Sequence, residues 1–443
     1  MRVEGDFIKI NKWLLPFSWF YGLGVKLRNT MFSIGMLKSR AFDVPVISVG
    51  NITVGGSGKT PHVEYLIRLL KDSCHTAVLS RGYKRKSKGF VLASAETTMP
   101  EIGDEPFQIK QKFPEVLVAV DKNRCHGIDT LMANDKNIDV ILLDDAFQHR
   151  YVKPGINILL VDYHRLIIYD ALLPAGRLRE PLNGKDRADI VIITKCPKDL
   201  KPMEYRVITK AMNLYPYQQL FFTTIDYGEL QPAFKEAAAS ATNTPAADAS
   251  TANTPAADAS TANTPAANAS TANAPAADVS TANAPAASSS YAATLSQLKD
   301  THVLLLTGIA SPQQMTHDLK PQIPHLMPLS FADHHNFKEK DVELINSTFA
   351  SLPEPKLIIT TEKDATRLQQ VEGLSEEVRQ HLYVLPIKVC FLQEQAKLFN
   401  HQIIDYVHKN SRNSILVKRK DDHKPHNSHH TGDRPRTISF RNN

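Results

Sequence analysis

The segment VISVGNITVGGSGKTP, from Val46 to Pro61, sets a glycine-rich turn between an apolar run and a Lys-Thr pair. A strand, such a turn and then a helix make a phosphate cradle, because backbone N–H groups converge on an anion where no side chains intrude. Gly55, Gly56 and Gly58 open the turn, and Thr53, Val54 and Ser57 complete it. The helix expected over about residues 59–70 aims the positive end of its dipole at the phosphates. Lys59 would then reach the β and γ oxygens, and the Thr60 hydroxyl would ligate Mg²⁺. The strict spacing calls for glycine at position 53, where this chain carries Thr53.

A nucleotide cradle also needs an acid at the end of a neighbouring strand, so that Mg²⁺ is held from the protein side as well as by phosphate. Asp144 and Asp145, directly after the apolar run Val140 to Leu143, supply it. Transfer to a hydroxyl gains further from a carboxylate that takes the proton as the P–O bond forms. Asp104 of Gly103-Asp104-Glu105-Pro106 is the candidate, with Glu105 beside it, although an acidic pair before proline also makes an ordinary surface turn. The run Ile190 to Ile193 is followed by Thr194-Lys195-Cys196-Pro197, which lacks the aspartate that reads guanine in an N-K-x-D loop, so ATP is expected rather than GTP. These residues by themselves specify a P-loop NTPase. A nucleotide-hydrolysing switch or metallochaperone-like NTPase remains the alternative to a kinase.

The elements that must carry these groups are short apolar runs separated by polar or helical stretches: Val44 to Val49, Thr76 to Leu79, Val116 to Val120, Val140 to Leu143, Ile156 to Val161 and Ile190 to Ile193. That pattern predicts an α/β fold, a P-loop NTPase domain with a mostly parallel, doubly wound sheet buried on both faces. Apolar runs resume at Val303 to Leu306 and Leu357 to Ile359, enough for a smaller C-terminal α/β domain. Between the two, residues 240–289 form five tandem ten-residue units such as STANTPAADA, too polar, small and proline-punctuated to pack a core. The expected organisation is an N-terminal anchor over 1–40, the P-loop domain over 41–230, a disordered insertion over 231–298, the second domain over 299–410 and a polar basic tail over 411–443.

Composition narrows the function classes. The formal charge of +6 is concentrated at the two ends of the chain, and no nucleic-acid module accompanies it, so no nucleic-acid partner is expected. Cys74, Cys125, Cys196 and Cys390 are far apart and show no metal-ligand spacing. The uncharged run Trp13 to Val25 contains two Trp, two Phe and one Tyr, and every charged side chain from Lys9 to Arg40 is positive. It is too short to span a bilayer, and it suits either an in-plane anchor on anionic headgroups or a soluble helix that covers a core.

VGNITVGGSGKTP, SRGYKRKSKG, GDEP, LLDDAFQHR, LPAGRLREP, FADHHNF and TEKDA occur in this order along the chain. Together they resemble the tetraacyldisaccharide 4'-kinase family over about residues 10–230 and 300–400. The resemblance implies transfer of the ATP γ-phosphate to the 4'-hydroxyl of a tetraacyldisaccharide 1-phosphate, in lipid A biosynthesis, at the cytoplasmic face of the inner membrane of Gram-negative bacteria. It makes Asp104 the general base and His334 of the second domain its hydrogen-bonding partner, with the adjacent His335 not distinguished from it. Arg179 and Glu180 are implied to act near the phosphates. The family's loop accommodates Thr53. The basic stretch Arg81, Lys84, Arg85, Lys86 and Lys88 would meet the substrate's 1-phosphate, lipid headgroups or only solvent.

Overall fold

A computed structural model describes residues 10–234, 295–333 and 335–411. The ten-residue units, nearly all of the basic tail and His334 lie outside the described residues. Strands are numbered in chain order: β1 Val46–Gly50, β2 Thr76–Ser80, β3 Val91–Leu92, β4 Leu117–Val120, β5 Val140–Asp144, β6 Ile156–Asp162, β7 Ile190–Thr194, β8 Gln219–Tyr227, β9 Gln231–Pro232, β10 His302–Thr307, β11 Leu326–Ser330, β12 Lys356–Thr360, β13 Leu382–Val384 and β14 Ile387–Phe391. Among the described residues they form a nine-stranded sheet, β14-β8-β7-β6-β1-β5-β2-β4-β3, and a five-stranded sheet, β11-β10-β12-β13-β9. In the first sheet only the outer pairs β3/β4 and β14/β8 are antiparallel. The apolar runs thus became strands buried along their whole length, as in β1, β2, β5 and β7.

Helices cover both faces of the large sheet. On one face the helix Lys59–Leu70 buries Val63, Leu66, Ile67 and Leu70, an i, i+3, i+4, i+7 stripe, in the same cluster as Phe399, Ile403 and Val407 of the helix Ala396–Asn410. On the other, Ile128 and Leu131 of Arg124–Asn134 cover β2 and β5, while Ile208 and Met212 of Pro202–Met212 cover β6 to β8. Each fully buried side chain of this kind contributes roughly 1.5–3 kcal/mol of transfer free energy.

The second sheet is reached and left through paired strands. β8 and β14 run antiparallel from Thr223↔Phe391 to Tyr227↔Ile387, so the chain enters the second domain along one and returns along the other. The expected boundary at 410 therefore differs from the fold: β14 and the helix Ala396–Asn410 belong to the first domain. The physical reason is the cluster in which Phe391 and Phe399 meet Phe221 of β8, at centroid distances of 5.9 and 5.4 Å. β8 itself, whose QLFFTTIDY carries polar residues at one end, was not among the expected runs.

The N-terminal helix Leu15–Ser33 docks through polar contacts and leaves most of its aromatic residues outward. The buried Ser18 hydroxyl donates to Leu172 O at 2.9 Å and accepts from the Ala175 N–H at 3.0 Å, and Tyr21 OH donates to Arg179 O at 3.0 Å. Trp13, Trp19 and Phe20 are 91%, 65% and 66% exposed. No helix among the described residues is long and apolar enough to cross a membrane.

Candidate active site

The loop after β1 is braced from below. Val54 N–H donates to Arg177 O at 2.8 Å and Arg179 N–H to Ile52 O at 2.7 Å. The Asn51 side chain donates to Ser57 Oγ at 2.8 Å, and the Thr194 hydroxyl at the end of β7 donates to Ser57 O at 3.0 Å. Gly58 closes the turn at φ 79°, a left-handed conformation that favours glycine, and the helix Lys59–Leu70 starts at the next residue. Thr53 is buried and bridged to Leu178, so it serves the brace. β1 sits at the middle of the sheet between β5 and β6, so the loop opens at the carboxyl ends of the strands, the usual ligand crevice of such sheets.

Asp144 ends β5 and is 1% exposed. Its Oδ2 accepts from Ser80 Oγ at 3.2 Å, whereas its Oδ1 is buried without a partner. Burial, followed by the negative charges of Glu105 and Asp145, pushes Asp144 up to about 7; Lys59 and Arg124 oppose the shift. Asp145 sits at φ 48° with its Oδ1 3.6 Å from Lys59 Nζ. An orphaned carboxylate oxygen with a second acid adjacent to it in the chain fits a divalent cation. No group of three or more His, Cys, Asp or Glu that could hold a metal occurs among the described residues.

Asp104 and Glu105 begin the helix Asp104–Lys112, which faces the helix Glu362–Leu368 of the second domain. Asp104 pairs with Arg367 across the boundary, Glu105 with Lys363 at 3.1 Å, and Lys112 bridges Glu64 and Glu362. His335 Nε2 lies 2.9 Å from Asp341 Oδ2 and its ring stacks on Phe331, so this histidine is committed within its own domain. Arg179 lines the cleft. The adjacent Glu180 does not line it; it is buried, accepting from Arg187 at 2.7 Å.

Three groups here were assigned no role from sequence. Arg124 is 2% exposed, donates to the carbonyls of Asp121 and Asp144, and is lowered to about 10, chiefly by burial. His149 is lowered to about 4 by burial and by Arg124, Arg28 and Arg81, so at neutral pH it is uncharged inside a positive field. Lys195 takes φ 59° at the end of β7, and its Nζ donates to Asp162 at 2.8 Å at the cleft wall. A lone arginine in RCHG has no spacing to mark it, and the histidine of AFQHR was visible only as part of a motif.

The cleft between the domains has a volume of about 530 Å³, within the usual range for small-molecule sites. Its apolar lining comes from Ile225, Tyr227, Leu385 and Ile387 in and around the connecting strands and from Ile309 and Met315 of the second domain.

The family model described as tetraacyldisaccharide-1-P 4'-kinase matches residues 10–247 and 241–407. The chain belongs to that family. A tetraacyldisaccharide 4'-kinase from Phocaeicola vulgatus is 54% identical over 93% of this chain and 99% of the relative, and one from Bacteroides thetaiotaomicron is 50% identical over 95% and 100%. The crystal structure of LpxK from Aquifex aeolicus in complex with ATP is similar at 27% identity and a TM-score of 0.60, over 90% of this chain and 99% of that one. The doubly wound P-loop architecture expected from the apolar runs is therefore the fold of a tetraacyldisaccharide 4'-kinase family member.

Proposed function

We propose that this chain transfers the γ-phosphate of ATP to the 4'-hydroxyl of a tetraacyldisaccharide 1-phosphate, with Asp104 as the general base. The observation that supports this reading is one cleft lined by the phosphate loop with Lys59 and Thr60, by Asp145, which follows the buried Asp144, and by Glu105, which follows Asp104 at the helix start. Asp104 takes the hydroxyl proton, the freed oxygen attacks the γ-phosphorus, and the bond to the ADP oxygen breaks. Lys59 steadies the phosphates through the displacement, and Thr60 and Asp144, with Asp145 beside them, would hold a Mg²⁺ ion, which would supply charge neutralisation at the phosphate oxygens. Arg81, which lines the cleft, suits the substrate's own 1-phosphate. The deciding experiment is transfer of labelled γ-phosphate to purified tetraacyldisaccharide 1-phosphate in mixed micelles. Labelled lipid supports the kinase; nucleotide hydrolysis with no labelled lipid would leave a nucleotide-hydrolysing switch in its place.

Metal binding should depend on pH through Asp144. Its folded value of about 7 lies above the ordinary 3.8, so between about pH 4 and 7 the folded, metal-free protein keeps a proton that the unfolded chain has lost. Stability without metal therefore falls as pH rises through that window. Mg²⁺ needs the ionised carboxylate, so the rise in Tm caused by Mg²⁺ should grow from pH 6 to pH 8. Asp144→Asn should flatten that growth; an equal Tm rise at both pH values in the unsubstituted protein would rule out Asp144 as a ligand.

We further propose that the enzyme works on the bilayer surface at the cytoplasmic face of the inner membrane, where a four-chain lipid stays; the outward aromatic residues of the helix Leu15–Ser33 support this reading. Arg28 of the same helix donates to Gln148 O, which ties the anchor to the segment just after Asp144 and Asp145. Replacing Trp19 and Phe20 together by glutamate should move the protein from the pellet to the supernatant when it is sedimented with anionic vesicles. ATP binding should be retained.

A further inference from the structure

We infer that Arg367 is a positioning residue for phosphoryl transfer: held rigidly in the second domain, it grips the Asp104 carboxylate across the boundary and makes the aim of the base depend on how the domains are set. The inference rests on Asp104 being the base.

Arg367 is 5% exposed, an unusual place for a guanidinium unless it is fully engaged. Its NH1 donates to Asp364 Oδ1 at 2.9 Å and to Gly308 O at 3.3 Å, and its NH2 donates to Asp104 Oδ2. Asp364 is itself fixed, accepting on Oδ2 from the Gly308 N–H at 2.9 Å and the Thr361 hydroxyl at 2.7 Å. A Cβ at Gly308 would come within 2.9 Å of Asp364 Oδ1, so the close approach of that backbone requires glycine. The end of β10 and the start of the helix Glu362–Leu368 thus set the direction of the guanidinium, and one arm of it leaves the domain.

Domain adhesion alone does not account for this arrangement. Glu105–Lys363 and Lys112–Glu362 already join the same two helices by ion pairs. The third pair falls on Asp104 and costs the burial of two more charges. What it adds is geometry: fixing Oδ2 from a rigid donor fixes the plane of the carboxylate, and hence where Oδ1 is presented. A misplacement of about 1 Å at a reacting group costs up to ~10²-fold in rate. Because the donor belongs to the second domain, Asp104 is aimed only when that domain is seated on the Asp104–Lys112 helix.

The test is a cycle of Arg367→Gln, Asp104→Asn and the double variant, assayed on the full chain in mixed micelles. Arg367→Gln should lower kcat by about 10–10²-fold with the KM for ATP within about threefold, and Arg367→Lys should restore a large part of the loss. In the Asp104→Asn background the Arg367→Gln change should cost almost nothing further, since a residue that acts through another is silent once that other is gone. Multiplicative losses in the double variant would overturn the proposal and leave Arg367 as structural support, and so would full activity of Arg367→Gln alongside an inactive Asp104→Asn. Full activity of Asp104→Asn would instead remove the base, and the positioning role with it. Lys112→Met, which removes a neighbouring interdomain pair, should leave kcat within about twofold; a loss matching that of Arg367→Gln would likewise overturn the proposal. Tm and ATP affinity of each variant separate these outcomes from simple failure to fold.

Discussion

Asp104→Asn should lower kcat by about 10²–10⁴-fold and leave the KM for ATP nearly unchanged, the signature of a group used only as the proton moves. Asparagine keeps an oxygen for the Arg367 guanidinium, so the pairing with the second domain is disturbed less than it would be by alanine. Measured single-turnover transfer to the lipid at saturating ATP is the relevant readout, because product release from a membrane can hide a slow chemical step. A loss of less than about tenfold would assign the proton to another acceptor, and Glu105, which lines the cleft, would be the next to replace.

Lys59→Ala should cost about 10²–10³-fold in transfer, comparable to removing one charge-stabilising donor from a reacting oxyanion. A second effect follows from its neighbours. Lys59 is one of two cations that hold the Asp144 value down and lies 3.6 Å from Asp145. Without it Asp144 keeps its proton to higher pH, so the residual activity should fall away at a higher pH on the acid side and need more Mg²⁺ to recover. Residual activity with an unmoved acid limb would separate the lysine's role toward phosphate from any role toward the acids.

The phosphate loop, the acids at the end of β5 and the strands of the large sheet were legible because each is local: a glycine spacing, a pair of aspartates ending an apolar run, strands buried from end to end. The return of the chain to the first domain was not. Phe399, Ile403 and Val407 have a helix's spacing, but nothing in that spacing says which of two sheets they cover. Two adjacent histidines could not be told apart by sequence, and only the stacking on Phe331 and the contact with Asp341 commit His335 elsewhere. Arg367 lies two residues past the TEKDA motif, and its meaning depends on Asp104, 263 positions earlier. Such long-range pairings are decided by tertiary packing, which local pattern does not encode.

The pairing of β8 with β14 bears on the order in which the protein is made. When the ribosome has delivered β1 to β8, the face of the sheet that carries Phe221, with Leu66 and Ile67 of the helix Lys59–Leu70 packed on it, still lacks Phe399, Ile403 and Val407, and β8 is an open edge. The whole second domain must emerge before that edge is closed, so the nucleotide loop near the start of the chain waits for a helix near its end. The stretch in between is the period in which this chain most needs protection from edge-to-edge association.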